Sequence, residues 1–212
     1  MTTHSYTQRV RDNIIPLSVG ETLPKAFEEW SFRDIILDHE YPTETCELCD
    51  QESLRYHFQI RNALTGCTLW VGSHCILKFG LSVFDGDRRL SASETQKKLD
   101  RLTHQMRGES CVKALERLAI AEINPILNNA LKYFRLNKNL SPKFAFVVLW
   151  RLQSNQIDHS PSFFKINLKR GKYQQDLQSM KLGHVHMIWP ALSSSQRAMA
   201  IRFGHRSPSC NQ

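Results

Sequence analysis

The thirty residues from Cys46 to Cys75 constrain the fold of this chain more than any other stretch: CELCDQESLRYHFQIRNALTGCTLWVGSHC. They open on a Cys-x-x-Cys pair, Cys46 and Cys49, and close on His74 and Cys75. Between the two ends Leu54, Tyr56, Phe58 and Ile60 alternate with Arg55, His57 and Gln59, which is the period of a half-buried strand. The turn signal RNALTG and a second apolar run, CTLWV, complete a predicted β-hairpin. Gly72 and Ser73 end the second strand, and CILKFG is predicted to start a short helix. A hairpin returns the chain to its own starting point, so Cys75 is expected beside the Cys46–Cys49 turn.

That arrangement suits a metal. Structural zinc takes four sulfur or nitrogen ligands in a tetrahedron, and a Cys-x-x-Cys turn places two thiolates on one ion. The matching second Cys-x-x-Cys is absent, because Gly72 stands three residues before Cys75. Candidates for the fourth ligand, in order, are His74, His39, Cys67 and His57. The ending VGSHCILKF resembles the closing half of a treble-clef or zinc-ribbon unit. Ordinary buried thiols are the competing reading, and Cys111 and Cys210 are read that way. Redox Cys-x-x-Cys chemistry belongs at a helix start after a strand, not at a hairpin. Catalytic zinc would bring an HExxH or HxE…PCxxC pattern, and neither is present. The expectation is a structural Zn2+ on Cys46, Cys49, Cys75 and His74.

Free thiols require a reducing compartment. The segment MTTHSYTQRVRDNIIPL is too polar for a signal peptide, and the longest apolar run, Ala145 to Trp150, falls far short of the roughly 20 residues a membrane span needs. A cytoplasmic protein without a membrane partner is expected. With 41% apolar and 23% charged residues, the chain can build a packed core.

Charge is unevenly distributed. Residues 1–50 carry a net −6, residues 51–160 a net +7, and residues 161–212 a further +7, for a total of +8. A basic remainder of this kind is either a solvated face or a surface for nucleic acid or an acidic protein. Lys165, Lys169, Arg170, Lys172, Arg197 and Arg202 are the candidate phosphate contacts, joined by Arg55 and Arg61 on the hairpin. Lys169-Arg170-Gly171-Lys172 is the densest cluster, expected at a turn between strand and helix where Gly171 lets a phosphate approach the backbone. Phe163, Phe164 and Trp189 are expected in the core. Residues 188–206 have the outline of a helix-turn-helix, but Pro190 interrupts a first helix that is already short. Asp38-His39 with Pro42 resembles the metal strand of HNH-type nucleases, in reversed order relative to the Cys-x-x-Cys. Without a nucleotide-binding loop, nucleophile elbow or paired catalytic carboxylates, no enzyme is expected.

The remaining elements follow from caps and periodicity. Helices are predicted at LPKAFEEW, from Ser91 to Gly108 behind a Ser91–Glu94 capping box, at ESCVKALERLAIAE, at NPILNNALKYF, and at SPKFAFVVLWRLQ. The last of these is apolar nearly all round and therefore expected in the centre of a bundle. SFRDIILDHE and FFKINLK read as strands, and KYQQDLQSM and SSSQRAMAIRFG as helices. The expected fold is α+β: a zinc-stapled β-hairpin within an N-terminal unit, 1–86, a helical bundle, 87–158, and a basic C-terminal segment, 159–212, packed on it.

The block CELC…LRYHFQIRN…TG…LWVGSHCILKF resembles small zinc-knuckle proteins of bacterial plasmids, phages and related mobile elements. The likeness covers mainly residues 46–79, with echoes in FFKINLKRGKY and IWPALSSSQR. One defined group of this kind is the zinc-finger large-subunit-like protein of type IV CRISPR effector complexes. That resemblance implies DNA- or RNA-binding in antiviral defence or plasmid biology, at the duplex next to the target and with a guide-RNA complex as partner. The expected function is non-catalytic, zinc-containing nucleic-acid binding. The alternative is a protein-interaction or inhibitor module, with an HNH-like nuclease behind it.

Overall fold

In the computed structural model, which describes residues 6–208, the period-two stretch forms the central strand of a three-stranded antiparallel sheet. Strand β1 (Trp30–Asp38) pairs with β2 (Tyr56–Asn62), and β2 pairs with β3 (Thr68–Val71) through the expected hairpin. Asn62 closes β2: its Oδ1 accepts the N–H groups of Leu64 and Thr65, and Gly66, at φ 76, completes the turn. β1 is irregular between Phe32 and Ile36, where Asp34 takes a left-handed φ of 58. Lys98 Nζ reaches the Asp34 carboxylate at 2.8 Å and so holds that bulge.

Two short helices precede the sheet, α1 (Tyr6–Ile14) and α2 (Leu23–Glu29), with Pro24 in the first turn of α2 as its fixed φ favours. Helix α3 (Ser73–Lys78) follows β3 directly and starts two residues earlier than the sequence suggests. A minimal hairpin, β4 (Phe84–Asp85) and β5 (Arg88–Arg89), leads to α4 (Ala92–Ala121). Val10, Ile14, Trp30, Phe58, Ile60, Val71, Ile76 and Leu99 are among the buried side chains of this part, and they share one core with Cys46, Cys49 and Cys75.

Gly108 does not end a helix. α4 continues through it for thirty residues, merging two predicted helices into one. A glycine inside a helix costs about 1 kcal/mol relative to alanine, a cost that neighbouring contacts readily offset. Here the Phe163 ring lies 3.5 Å from where a Gly108 Cβ would stand. The chain divides into two compact units between Arg107 and Gly108, inside α4. The sequence reading had drawn its lines at 86/87 and 158/159.

The second unit is helical. α5 (Pro125–Asn137) is capped by Asn124 and α6 (Pro142–Ser154) by Ser141, each side-chain oxygen accepting a backbone N–H of the first turn. α6 is not enclosed all round as expected. Ala145, Val148, Leu149 and Leu152 are buried, whereas Trp150 is 44% exposed. FFKINLK is not a strand in a sheet. It is a 3-10 turn, Pro161–Phe163, followed by an extended segment with a single parallel bridge, Leu140 to Ile166. The period of two is real, because Phe164, Ile166 and Leu168 are buried and Lys165 is exposed, but the neighbours of this segment are helices. α7 (Gly171–Ser179), α8 (Leu182–Ile188) and α9 (Ser194–Arg202) close the unit, the last behind a complete Ser193–Gln196 capping box. Residues of α5 and α6 share one core with those of α7, α8 and α9, including Leu131, Leu152, Leu177, Ile188 and Ala200. Phe164 is core as expected, while Phe163 and Trp189 are partly buried against it.

The architecture is therefore α+β, a small antiparallel sheet with several helices. Among the described residues no helix is long and apolar enough to cross a membrane.

Candidate metal centre

The Cys46–Cys49 turn is built by backbone hydrogen bonds. Asp50 N–H donates to Cys46 O at 2.9 Å, Cys46 N–H donates to Gln51 O at 2.9 Å, and Asp50 takes a left-handed φ of 59. Glu47 ties the turn to β3 twice: its N–H donates to Trp70 O, and its carboxylate accepts Trp70 N–H at 2.6 Å. Cys75 sits in the first turn of α3, its N–H on Gly72 O. Gly72 occupies the place of a second motif cysteine because Leu54 packs there, 3.3 Å from where a Cβ would stand.

These elements bring three sulfurs together. Cys75 Sγ lies 3.7 Å from Cys46 Sγ and 3.3 Å from Cys49 Sγ, and all three lie within 4.8 Å of one another. No disulfide joins them. Four sulfurs on a tetrahedral ion at about 2.3 Å would stand about 3.8 Å apart, close to the spacing seen here. All three side chains are buried. The three thiols therefore form a group that can hold a metal ion.

Their protonation is uneven. The hydrogen bond shared with Cys75, with backbone N–H groups of Gly72, Leu48 and Cys49, holds the Cys46 thiol down at about 5 against the effect of burial. Cys75 is pushed up because it keeps that shared proton and is itself buried. Burial pushes Cys49 up. A bound divalent cation would displace the protons that these thiols still hold. Tyr6 Oη stands 4.0 Å from Cys75 Sγ, with its own proton held more firmly than usual by burial and by the neighbouring sulfurs.

A cavity of about 310 Å³ opens beside the sulfurs, walled by Tyr6, Leu54, His74 and Lys78. His74 borders this cavity and is exposed, and it does not join the three clustered ligand atoms. Cys67 also lies outside that cluster. His39 and His57 form a separate pair, rings edge to face with centroids 4.9 Å apart. His57 is not on a solvated strand face, as its alternation with apolar residues suggested. It is buried, with its ring against Trp70. Of the four candidates for a fourth ligand, His74 alone borders the cavity. Sequence reasoning missed Tyr6 and Lys78, whose places depend on tertiary packing and carry no motif. Lys78 Nζ sits 3.6 Å above the Tyr6 ring.

The basic residues separate into two kinds. Arg55 grips Asp38 through two hydrogen bonds, 2.8 and 3.1 Å, so its charge serves a half-buried ion pair and not an open phosphate site. The same bond occupies the carboxylate of the Asp38-His39 sequence. Arg197 donates to Trp189 O and Pro190 O and so braces the turn before α9. Arg61, Lys165, Lys169, Arg170, Lys172 and Arg202 are exposed. Lys169 to Lys172 stand at the start of α7 after an extended segment, with Arg170 over the Tyr173 ring.

Fold and site together define an α+β chain with a buried group of three thiols able to hold a metal ion. Comparison with protein-family models, with curated proteins and with solved structures finds no match.

Proposed function

We propose that this chain is a zinc-stapled, non-catalytic nucleic-acid-binding protein that works as a subunit or accessory factor of a larger nucleoprotein assembly, of the mobile-element or CRISPR type. One observation carries the reading: residues 108–212 hold fifteen Lys/Arg against five Asp/Glu, and three of these acids are already held in ion pairs. Glu116 pairs with Arg135, Glu122 with Arg151 and Asp176 with Lys143. Exposed cations at Lys165, Lys169, Arg170 and Lys172 are thereby left to meet phosphate. In the first unit, three thiolates favour zinc over hard cations. His74 supplies the fourth ligand from the cavity wall, and the ion staples the Cys46 turn to α3.

The test is nucleic-acid affinity as a function of salt. Each phosphate contact contributes about 0.7–0.9 to the slope of log affinity against log salt. Replacing Lys169, Arg170 and Lys172 together by Glu should remove about 2–3 from that slope. Absence of binding at low salt, or binding indifferent to salt, would overturn the reading. A protein-interaction module is the second reading, favoured by three exposed isoleucines about the α4–α5 corner, Ile120, Ile123 and Ile126.

A further inference from the structure

One surface of the second unit is built unlike the rest of it. On α6, Phe146 and Trp150 stand four residues apart and so share a face of the helix. Their rings are within 10° of parallel, with centroids 6.4 Å apart. The ring of His184, from α8, continues the series on Phe146 at 3.8 Å and 19°. Two other ring pairs of this unit, Tyr133–Phe144 and Phe134–Phe164, are tilted by 54° and 56°, whereas Phe146, partly buried against the same core, keeps near-parallel neighbours. The three-ring set ends at Trp150, which is 44% exposed although it is the largest side chain of a helix otherwise rich in buried residues. Burying a tryptophan would bring a large hydrophobic gain, so its exposure needs a reason.

The charges around the rings suit a polyanion. The Arg151 guanidinium carbon lies 4.9 Å from the Trp150 ring centroid, and Lys143 stands one turn before Phe146 on the same helix. Glu122 holds Arg151 and Asp176 holds Lys143, so both charges are paired beside the rings and the open charge of this face falls to Lys181. Lys181, exposed, caps the start of α8 one turn before His184.

We infer that the Trp150–Phe146–His184 face is a stacking platform for the bases of a single-stranded nucleic acid. The inference rests on the nucleic-acid reading above and narrows it from any nucleic acid to an unpaired strand. The exposed Trp150 ring, backed by the two others, accepts any base through its π-face, the exposed Lys181 beside them meets a phosphate, and neither contact depends on the sugar. A duplex offers no free base faces and gains nothing from the rings.

The test uses the full chain and fluorescence anisotropy with three labelled probes of about 15 units, the length one such surface engages: oligo-dT, oligo-U and a mixed-sequence duplex. Trp150→Leu keeps the apolar bulk but removes the π-face, and it should weaken both single strands by roughly 5- to 100-fold while leaving duplex affinity within about twofold. Trp150→Phe should recover most of the loss. A thermal melt verifies that each variant is folded. If the wild type binds the probes and Trp150→Leu binds the single strands as tightly, the platform is overturned while nucleic-acid binding stands. If the wild type binds none of the three at low salt, both readings fall. If Trp150→Leu weakens the duplex equally, the rings are not selecting unpaired bases and the inference fails.

Discussion

Arg55 shows what a single residue can hide. In the sequence it is one of several arginines on a basic chain, and charge alone assigns it to phosphate. In the structure it satisfies Asp38, whose side chain is only 4% exposed, in a two-pronged pair. Removing one partner of such a pair leaves the other charge buried and uncompensated. Arg55→Ala should therefore cost about 3 kcal/mol in urea denaturation and leave nucleic-acid affinity nearly intact. Lys169→Ala, exposed and with no ion pair among the described residues, should do the reverse. Glu94 gives a prediction in pH. The Ser91 N–H and hydroxyl, with Arg88, hold its carboxyl down at about 2, against 4.5 ordinarily. A depressed carboxylate stabilises the fold above its unfolded value and loses that contribution as pH falls toward the folded one. The melting difference between wild type and Glu94→Gln should be constant above about pH 5, shrink between about 4.5 and 2, and be reduced by salt because the site is exposed. At this scale the sequence disclosed Cys46, Cys49 and Cys75, because ligand spacing is a local property. It did not disclose Tyr6, the Arg55–Asp38 pair or the burial of His57, because these depend on which distant residue arrives alongside.

Among the elements, those with capping signals were legible. Ser91 and Glu94 open α4 as their capping box announces, and Asn124, Ser141 and Ser193 cap three later helices, the last with Gln196 completing its box. The hairpin was legible too, since its alternation and turn residues agree. Two elements were not. Gly108 reads as a stop but lies within α4, because a helix ends only when a cap or a backbone reversal replaces its hydrogen bonds. The segment around Phe164 to Leu168 has a strand's period without a strand's partners. The first of these is testable. A Cβ at position 108 would meet Phe163 at ordinary van der Waals distance and nothing closer. Gly108→Ala should therefore stabilise the protein by about 0.5–1 kcal/mol, read from the urea midpoint at unchanged slope. α6 adds a second lesson. An apolar sequence led to the expectation of a central helix, yet Trp150 stays half in solvent, where a hydrophobic residue has a surface role instead of a packing one.

For the whole molecule, charge and the thiol group are separated along the chain. The first unit, to Arg107, carries a net −2 and the thiol group; the second, from Gly108, carries +10 and the exposed cations. The thiols do not stand alone on a small hairpin. They share a core with Trp30, Phe58 and Ile76, so a bound ion would add to an existing hydrophobic core and would not be the sole support of the unit. Its removal should thus lower the stability of the first unit and spare the second. Cys67→Ser, outside the cluster, should retain the metal. The measurement that tests this account most directly is elemental analysis of the full chain purified without chelator, paired with a thermal melt before and after chelation. The account predicts one zinc per chain, lost in Cys46→Ser and in Cys75→Ser, and a melting transition of the first unit that falls when the metal is removed. A chain that carries no metal, and melts identically with and without chelator, would contradict it.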